Sequence, residues 1–501
     1  MTKILEAGSI DLTICRQAYQ VPIAIQLSDT DWQNVQTSAD LVENIKQSGN
    51  TVYGINTGFG ALAHQSIAHD QLQALQENIV LSHAAGVGEP LPAGVVRLIL
   101  LLKINSLAQG YSGIQPQTLK ALIALLNADL LPVIPAKGSV GASGDLAPLA
   151  HMAAVLIGVG DVIQQGQRLS AVEALDQLEM KPITLQAKEG LALLNGTQVS
   201  TAIAIGALLQ TETLFHNAIV AGSMSVEAAA GSFKPFDARI HQVRGQLGQQ
   251  QVAQWYREWL TESEINSSHA GCQRVQDPYS LRCQPQVMGA CWDTWQHVAQ
   301  ILVREANGVS DNPLLFPDNG DSISGGNFHA EPVAMVADML ALVLSEIAAM
   351  SERRIALLID KHFSELPGFL VKESGLNSGF MLAHVTATAL ASENKALATP
   401  RCVDSMPTSA NQEDHVSMAT NAARRLLEMA ENSTYVVAIE LLAACQGVSL
   451  RAPLQTTQPL LKILTRVRQQ VPEYTQDRYF APDTEAIYQW IVNTDLRAQR
   501  T

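Results

Sequence analysis

The spacing of apolar residues along the chain predicts a mainly α-helical protein. In several segments apolar side chains recur at helical intervals, with good helix formers between them. These segments are 71–83, 93–109, 116–130, 331–361, 417–448 and 457–471. Alternating β-branched runs hardly exceed four or five residues, as in 161–165 and 322–326, so few strands are expected. The pattern therefore predicts a long helical bundle, with its longest helices in the second half of the chain.

The sequence indicates domain boundaries less clearly than it indicates helices. No repeat, low-complexity tract or Pro/Ser-rich linker interrupts the chain. A smaller, loop-rich part gives way to longer helical segments near residue 200. We therefore expect an N-terminal globular part over 1–200 and an elongated helical part over 201–501.

Segment 331–361 is apolar over most of its helical circumference. A helix of this kind is buried on most of its sides. Two arrangements satisfy that requirement: a large monomeric bundle, or a bundle whose outer faces are covered by further copies of the chain.

Composition narrows the classes of partner. Only 16% of the 501 residues are charged, against about 25% in ordinary soluble proteins. The net charge is −15, and no cluster of Lys and Arg offers a site for phosphate backbones. Nucleic acid and anionic membrane surfaces are therefore not expected as partners. The most apolar uncharged stretch, 146–160, is also shorter than the roughly 20 residues of a membrane span.

The cysteines and the N-terminus predict a cytoplasmic protein. The six cysteines form no closely spaced framework of the kind seen in disulfide scaffolds or zinc ribbons. Glu6 and Asp11 interrupt the N-terminus before an apolar signal segment could form. The Gly-x-Gly pairs do not extend to a dinucleotide fingerprint, and there is no HExxH helix, so neither a nucleotide nor a metal is expected.

The string Lys137-Gly-Ser-Val-Gly-Ala-Ser-Gly-Asp145 is the most unusual feature of the sequence. Its small residues permit a tight turn in which the Gly144 nitrogen approaches the Ala142 carbonyl. Attack and loss of water would close a five-membered imidazolone ring, and loss of a second water from Ser143 would leave a methylidene. The product is an electrophile, which no ordinary side chain supplies. The alternative is a small-residue turn that Asp145 caps before a helix.

Seven longer strings carry a resemblance to a known family. They are TVYGINTGFG (51–60), LSHAAGVGEPL (81–91), GSVGASGDLAPLAH (138–151), GLALLNGTQ (190–198), VQDPYSLRCQPQVMGA (275–290), ISGGNFHAEP (323–332) and SANQEDHVSM (409–418). With these motifs in this order, the chain resembles the ammonia-lyases and aminomutases that carry a self-formed 4-methylideneimidazole-5-one group. The resemblance implies that Ala142, Ser143 and Gly144 form this group without an external cofactor, in a fold similar to the fumarase/aspartase-like helical bundle.

The resemblance also implies roles in an elimination of ammonia. Tyr53 matches the family tyrosine that removes the β-proton, and a phenol can do this only where its surroundings favour the phenolate. Tyr279 would lie near the methylidene and orient or protonate the amine. Arg282 has the planar fork suited to a bidentate grip on the substrate carboxylate. Asn195 would contact either that carboxylate or the ring carbonyl of the electrophile.

Further positions would line the cavity and select the substrate. By resemblance, Gln276 and Phe328 belong to the wall, with Phe328 against the electrophile. His83 stands at a position that selects the substrate side chain, and Glu413 stands where relatives selective for other aromatic substrates usually carry a neutral residue. A carboxylate stabilises an imidazole but would be buried unpaired against a benzene ring. These two residues therefore favour L-histidine as the small-molecule substrate, with trans-urocanate as the product.

The resemblance further implies a homotetramer with active sites shared between subunits. It leaves two other functions open. One is a tyrosine or phenylalanine ammonia-lyase, or an aminomutase, of the same family; His83 and Glu413 disfavour it. The other is a non-catalytic helical scaffold, which the intact Ala142-Ser143-Gly144, Tyr53 and Arg282 disfavour.

Overall fold

The computed structural model describes residues 2–48, 52–58, 67–269 and 275–500. Within these residues the chain is mainly helical, which confirms the predicted fold class. The helices are α1 (Leu12–Gln20), α2 (Asp29–Ser48), α3 (Leu72–His83), α4 (Ala93–Ala108), α5 (Pro116–Asn127), α6 (Leu146–Leu156), α7 (Ala171–Gln177), α8 (Glu189–Leu194), α9 (Gln198–Ala228), α10 (Ala238–Arg244), α11 (Leu247–Leu260), α12 (Glu264–Ser268), α13 (Tyr279–Arg282), α14 (Gln284–Ala306), α15 (Glu331–Ile359), α16 (Lys361–Ser364), α17 (Met381–Leu397), α18 (Ala419–Ser449), α19 (Gln458–Gln470) and α20 (Ala481–Val492).

The strands in the described part of the chain are short and form four small sheets. They are β1 (Lys3–Leu5), β2 (Ile25–Leu27), β3 (Val87–Pro90), β4 (Leu131–Pro132), β5 (Pro135–Lys137), β6 (Asp161–Gln164), β7 (Gln167–Ser170), β8 (Leu314–Phe316) and β9 (Asp321–Ile323). Strands β1 and β2 pair in parallel, whereas β3 with β5 and β8 with β9 pair antiparallel. The fourth sheet is antiparallel in the order β4-β6-β7, with Val162 opposite Leu169.

The six segments with helical spacing all form helices, namely α3, α4, α5, α15, α18 and α19. Their ends agree with the predicted ends to within about three residues, the usual uncertainty for helix boundaries. The two alternating runs correspond to β6 and β9. Several helices were not among the predicted segments, including α2, α9, α14 and α17. Of these, α9 is buried on almost all sides, so its apolar residues show no one-sided spacing.

Local capping explains several helix boundaries. At α7 the Ser170 hydroxyl accepts a hydrogen bond from the Glu173 amide, and the Glu173 carboxylate accepts one from the Ser170 amide, which forms a capping box. At α1 the Asp11 carboxylate accepts from the Ile14 amide at 2.8 Å. Helix α10 ends at Gly245, whose left-handed conformation (φ 79°) is one that glycine adopts without strain.

The chain divides into two compact units. Unit 1 comprises 1–206, 299–338 and 400–425, and unit 2 comprises 207–298, 339–399 and 426–501. The boundary expected near residue 200 lies close to the end of the first segment of unit 1. The two later segments of unit 1 fall within the range that we expected to belong to the second part.

Each unit has its own core. In unit 1 every residue from Leu98 to Ala108 of α4 is buried, including Lys103. In unit 2 the guanidinium of Arg354 forms a fully buried ion pair with Glu440. The hydroxyls of Ser225 and Ser351 donate to the same carboxylate at 2.6 and 2.5 Å. Both oxygens of the buried Glu440 carboxylate thus have hydrogen-bond partners, as burial of an ion pair requires.

Two of the described helices are long and apolar enough to cross a membrane by length and composition: α9 and α15. In the most apolar window of each, 83% of the residues of α9 and 61% of those of α15 are buried inside the protein. Core helices of folded proteins pass the same test, so these two helices are weak support for a membrane span.

Candidate active site

The loop that carries Ala142-Ser143-Gly144 connects β5 to α6. Gly144 has a φ of 73°, in the left-handed region that favours glycine. A Cβ atom at this position would lie 2.2 Å from the main-chain oxygen of Gly196. The Gly144 and Gly196 backbones pair as a short parallel bridge. Glycine is therefore required here for both backbone conformation and close approach.

Asp145 fixes the far end of this loop. Its amide donates to the Gly196 carbonyl at 2.7 Å. Its fully buried carboxylate accepts hydrogen bonds from the Ser200 amide at 2.7 Å and from three hydroxyls, those of Ser200 at 2.8 Å, Ser139 at 2.8 Å and Thr420 at 2.5 Å. The alternative role of Asp145 as a helix cap is wrong, because its side chain makes no capping hydrogen bond to α6. It instead ties the loop to α9 and α18.

The other side of the loop packs against residues 416–418. The Met418 amide donates to the Val140 carbonyl at 2.8 Å, and the Ser417 hydroxyl donates to the Gly141 carbonyl at 3.0 Å. Ala142 packs in an apolar cluster with Val416 and Met418. The loop is thus held by hydrogen bonds and apolar contacts on both sides.

Asn195 contacts the centre of the loop. It follows the last residue of α8, and its side-chain amide donates to the Ser143 carbonyl at 2.8 Å. Its side-chain oxygen is buried and has no hydrogen-bond partner among the described residues. Its main-chain oxygen accepts from the Lys103 ammonium at 2.7 Å. Of the two contacts that sequence reasoning left open for Asn195, this geometry favours the carbonyl of the electrophile loop.

Lys103 belongs to a small group of buried charges behind Asn195. The ammonium of Lys188 forms an ion pair with Asp311 at 2.7 Å, and Lys103 has no such direct contact with that carboxylate among the hydrogen bonds of the described residues. Burial lowers the pKa of Lys103 from 10.5 to about 7, with Asp311 opposing the shift and Lys188 adding to it. Sequence reasoning did not single out Lys103, although a lone lysine within an apolar helical run was a usable signal.

We expect Lys103 to make the stability of the folded protein depend on pH. Its pKa is lower in the folded state, so between pH 7 and 10.5 the unfolded chain binds more protons and the free energy of unfolding rises with pH. Lys103→Met removes this contribution, of up to about 1.4 kcal/mol per pH unit. Urea denaturation at several pH values from 7 to 10 measures the difference in slope between the two proteins.

The exposed Lys181 provides a matched control for that comparison. Lys181→Met is expected to leave the pH dependence of the wild-type protein unchanged. Equal slopes for wild type and Lys103→Met would contradict the assignment of a lowered pKa to Lys103.

Glu413 lies directly beside the loop. One carboxylate oxygen accepts from the Ser143 hydroxyl at 2.6 Å, and the other accepts from the Thr408 hydroxyl at 2.6 Å. Burial raises the pKa of Glu413, but hydrogen bonds from Ser143, Thr408 and Ser409 and the charge of His83 together hold it below its ordinary value. An ionised carboxylate therefore stands at the centre of the site at neutral pH.

His83, the last residue of α3, has the opposite balance. Burial lowers its pKa, while a backbone hydrogen bond to Ile79 and the charge of Glu413 raise it by less. One ring nitrogen, Nδ1, lies 3.0 Å from the Ser82 hydroxyl. His83 is thus mainly neutral at neutral pH, where it offers both a donor and an acceptor.

A cavity of about 1090 Å³ in unit 1 brings most of the predicted residues together. Its wall contains Ser143 and six further predicted residues, Tyr53, His83, Ala142, Asn195, Phe328 and Glu413. Gly144 lines a smaller adjoining pocket with Ser143. Sequence reasoning did not identify His329, Asp414 and His415 as part of this wall, although each lies within a motif that carries the resemblance.

Three predicted residues do not line the cavity of their own chain. Gln276, Tyr279 and Arg282 belong to unit 2, and Tyr279 is 71% exposed. The guanidinium of Arg282 lies 4.6 Å from the centre of the Tyr279 ring, and its Nε donates to the Asp277 carbonyl at 2.9 Å. The carboxylate anchor expected from the sequence is thus not among the described residues that line the cavity.

Comparisons with known proteins show which family this chain is similar to. Residues 12–469 match the model of the aromatic amino acid lyase family. Histidine ammonia-lyase of Burkholderia cenocepacia is 59% identical over 483 residues, which cover 96% of this chain and 95% of the relative. The crystal structure of histidine ammonia-lyase from Trypanosoma cruzi is 40% identical with a TM-score of 0.92, covering 100% and 95% of the two chains. Phenylalanine aminomutase of Pantoea agglomerans is 30% identical with a TM-score of 0.93, covering 99% and 100%. The chain belongs to the aromatic amino acid lyase family.

Proposed function

We propose that this enzyme is a histidine ammonia-lyase, which eliminates ammonia from L-histidine to give trans-urocanate. Relatives at 58–59% identity that bear this name support the proposal. The observation in the site that carries it is the ionised Glu413, 2.6 Å from the Ser143 hydroxyl in the cavity wall. A carboxylate at that position can accept a hydrogen bond from a substrate nitrogen, whereas it would face a benzene ring at a cost of several kcal/mol.

The loop fits the methylidene-imidazolone group for which the family is known. In the proposed group the ring contains the Ala142 carbonyl carbon, Ser143 and the Gly144 nitrogen, and the Ser143 carbonyl becomes the ring carbonyl. Asn195 already donates to that oxygen, and the space beside Gly144 excludes a Cβ atom. When formed, the group supplies the strong electrophile that side chains lack.

The remaining residues of the cavity would bind the substrate and move protons. Tyr53 is the proposed base for the β-proton, and it lies in the same cavity wall as Ser143. Asn195 would withdraw electron density from the Ser143 carbonyl through its hydrogen bond, which would make the methylidene carbon conjugated with that carbonyl more electrophilic. Glu413 and the neutral His83 offer acceptors and a donor for the imidazole and the amine. Phe328 closes the cavity with an apolar face.

A homotetramer would complete the site. The proposed anchors Tyr279 and Arg282, with Gln276 beside them, are absent from the cavity wall of their own chain, so we place them in the cavity of another copy. Exposed apolar residues on α15 and α17 support association between copies, since soluble monomers rarely expose contiguous apolar patches. Examples are Leu342, which is 55% exposed, and Leu382, which is 60% exposed.

Mixing inactive variants tests the shared site. We expect Tyr53→Phe and Arg282→Met each to be nearly inactive. Co-expression is expected to restore about a quarter of wild-type activity, because random assembly leaves about one site in four with both residues intact. Steady-state assays of purified hybrids measure the recovery.

The control for this experiment mixes two variants whose substitutions both lie in the cavity wall of the same chain. Tyr53 and Ser143 line the cavity of the same chain, so Tyr53→Phe mixed with Ser143→Ala is expected to stay inactive. Absence of recovery in the Tyr53/Arg282 mixture would contradict a site shared between copies.

An assay with three amino acids tests the substrate. L-histidine, L-tyrosine and L-phenylalanine each give a conjugated product whose ultraviolet absorbance can be followed. We expect rapid formation of urocanate and little reaction of the other two. Faster reaction of tyrosine or phenylalanine would favour the other members of the family, and a β-amino acid product would identify an aminomutase.

A further inference from the structure

We infer that His329, Glu331 and His415 form a binding site for a divalent transition metal of the Zn²⁺ class in the wall of the cavity. The sequence contains no established zinc motif, and we had expected no metal. In the structure, each of the three side chains places one ligand atom within 4.8 Å of the other two. Two imidazoles and a carboxylate are a ligand set that suits zinc.

The hydrogen bond that His329 makes through one ring nitrogen leaves its other ring nitrogen available to bind a metal. Its Nε2 lies 3.1 Å from the main-chain oxygen of His415, and a carbonyl can only accept, so Nε2 carries the proton. In the neutral ring this hydrogen bond leaves the lone pair on Nδ1, which is the nitrogen that could bind a metal. Metal-binding histidines typically donate their other ring N–H to a backbone carbonyl or carboxylate in this way. The two imidazole rings also lie almost parallel, 5.7 Å apart with an angle of 5° between their planes.

The side chain of Glu331 has a buried oxygen that a cation could bind. Its Oε2 is buried and has no hydrogen-bond partner in the described ranges of the chain. A buried carboxylate oxygen without a partner is costly, and a bound cation would remove that cost. Glu331 is the first residue of α15, and the N-terminal end of a helix attracts negative charge. The position at the helix N-terminus therefore favours a charged carboxylate, while Oε2 has no hydrogen-bond donor among the described residues.

The separation of the ligand atoms is consistent with a site that contracts on binding. Zinc bonds to nitrogen and oxygen of about 2.0–2.2 Å place neighbouring ligand atoms about 3.3–3.5 Å apart in a tetrahedron. The observed limit of 4.8 Å requires shifts of about 1 Å, which side-chain rotation can provide. Because His329 and His415 line the cavity, a fourth coordination position would be accessible from it. This inference does not depend on which amino acid is the substrate.

Zinc binding to the metal-free, full-length protein tests the site. We expect one Zn²⁺ per chain in competition titrations against a chromophoric chelator, with the stoichiometry confirmed by elemental analysis. His329→Gln and Glu331→Gln are each expected to weaken binding by more than about 100-fold, because even loss of a ligand's hydrogen-bond partner costs about 10–100-fold. His297→Gln, at an exposed position of α14, is the matched control and should bind as wild type does.

Substitution with Co²⁺ separates this site from binding by cysteine. Cys402 is a partly exposed thiol in unit 1 that could also take a soft metal. We expect the visible bands of a nitrogen and oxygen site, without the intense near-ultraviolet band of a thiolate ligand. Circular dichroism of the metal-free variants checks that they are folded. Absence of stoichiometric zinc, unchanged affinity in both ligand variants, or a thiolate band would overturn the inference.

Discussion

Ser143→Ala is expected to abolish formation of the electrophile and to lower turnover by about 1000-fold or more, because the variant has lost the group that activates the substrate. Alanine has no hydroxyl to lose, so the second dehydration cannot occur and no methylidene can form. The chain should still fold. Asp145 and the residues that it contacts are unchanged, and they hold the loop without the Ser143 side chain.

Intact-mass measurement separates this effect from a general loss of activity. The wild-type chain should be lighter than its sequence by the mass of two water molecules, and the variant should not be. Ser268→Ala, at an exposed serine of unit 2, is the control and should retain the mass deficit. A wild-type chain of unmodified mass would rule out the proposed electrophile, and near-normal turnover by Ser143→Ala would rule out its role.

Glu413→Gln is expected to lower kcat/KM for L-histidine by about 100-fold, the effect of losing a hydrogen bond to a charged group in a buried site. Glutamine has nearly the same shape, and its amide oxygen can still accept from the Ser143 or Thr408 hydroxyl. The fold should therefore persist. Discrimination against tyrosine and phenylalanine should also weaken, since a neutral amide is less costly to bury against a benzene ring.

Asp414 provides a control for the charge itself. It lines the same cavity one residue further along the chain, so Asp414→Asn removes a negative charge from the same wall. We expect a much smaller effect on L-histidine turnover than that of Glu413→Gln. Equal losses would indicate that the total charge of the cavity matters and that Glu413 has no specific contact. An unchanged rate in Glu413→Gln would remove Glu413 from the mechanism.

The spacing of apolar residues predicted some helices directly and missed others. Helices α5 and α19 follow directly from their spacing, whereas α9 is surrounded by protein and shows no polar stripe. The division of the chain was also beyond sequence reasoning. Unit 1 recruits 299–338 and 400–425 by contacts that depend on the folded structure.

Most residues of the site could be predicted from the sequence, but the distances and contacts between them could not. The motifs pointed to Ser143 and Glu413 separately, and only the fold brings these residues, 270 positions apart, within 2.6 Å. Lys103 lies outside the motifs that carry the resemblance. Its hydrogen bond to the Asn195 carbonyl depends on the packing of α4 in the folded protein. The roles of Tyr279, Arg282 and Gln276 need a second copy of the chain, and the cytoplasmic location stays a prediction.

The anchoring of Asp145 sets an order of events during synthesis. Its carboxylate is held in part by Thr420, which follows it by 275 positions, and Glu413 reaches Ser143 from the same late segment. A nascent chain on the ribosome cannot make either contact until more than four-fifths of it has emerged. The proposed cyclisation would then follow translation of the whole active-site segment. Chains that terminate before residue 413 would keep an ordinary Ala-Ser-Gly loop, so the electrophile would form only in polypeptides that had been extended past this segment and had folded.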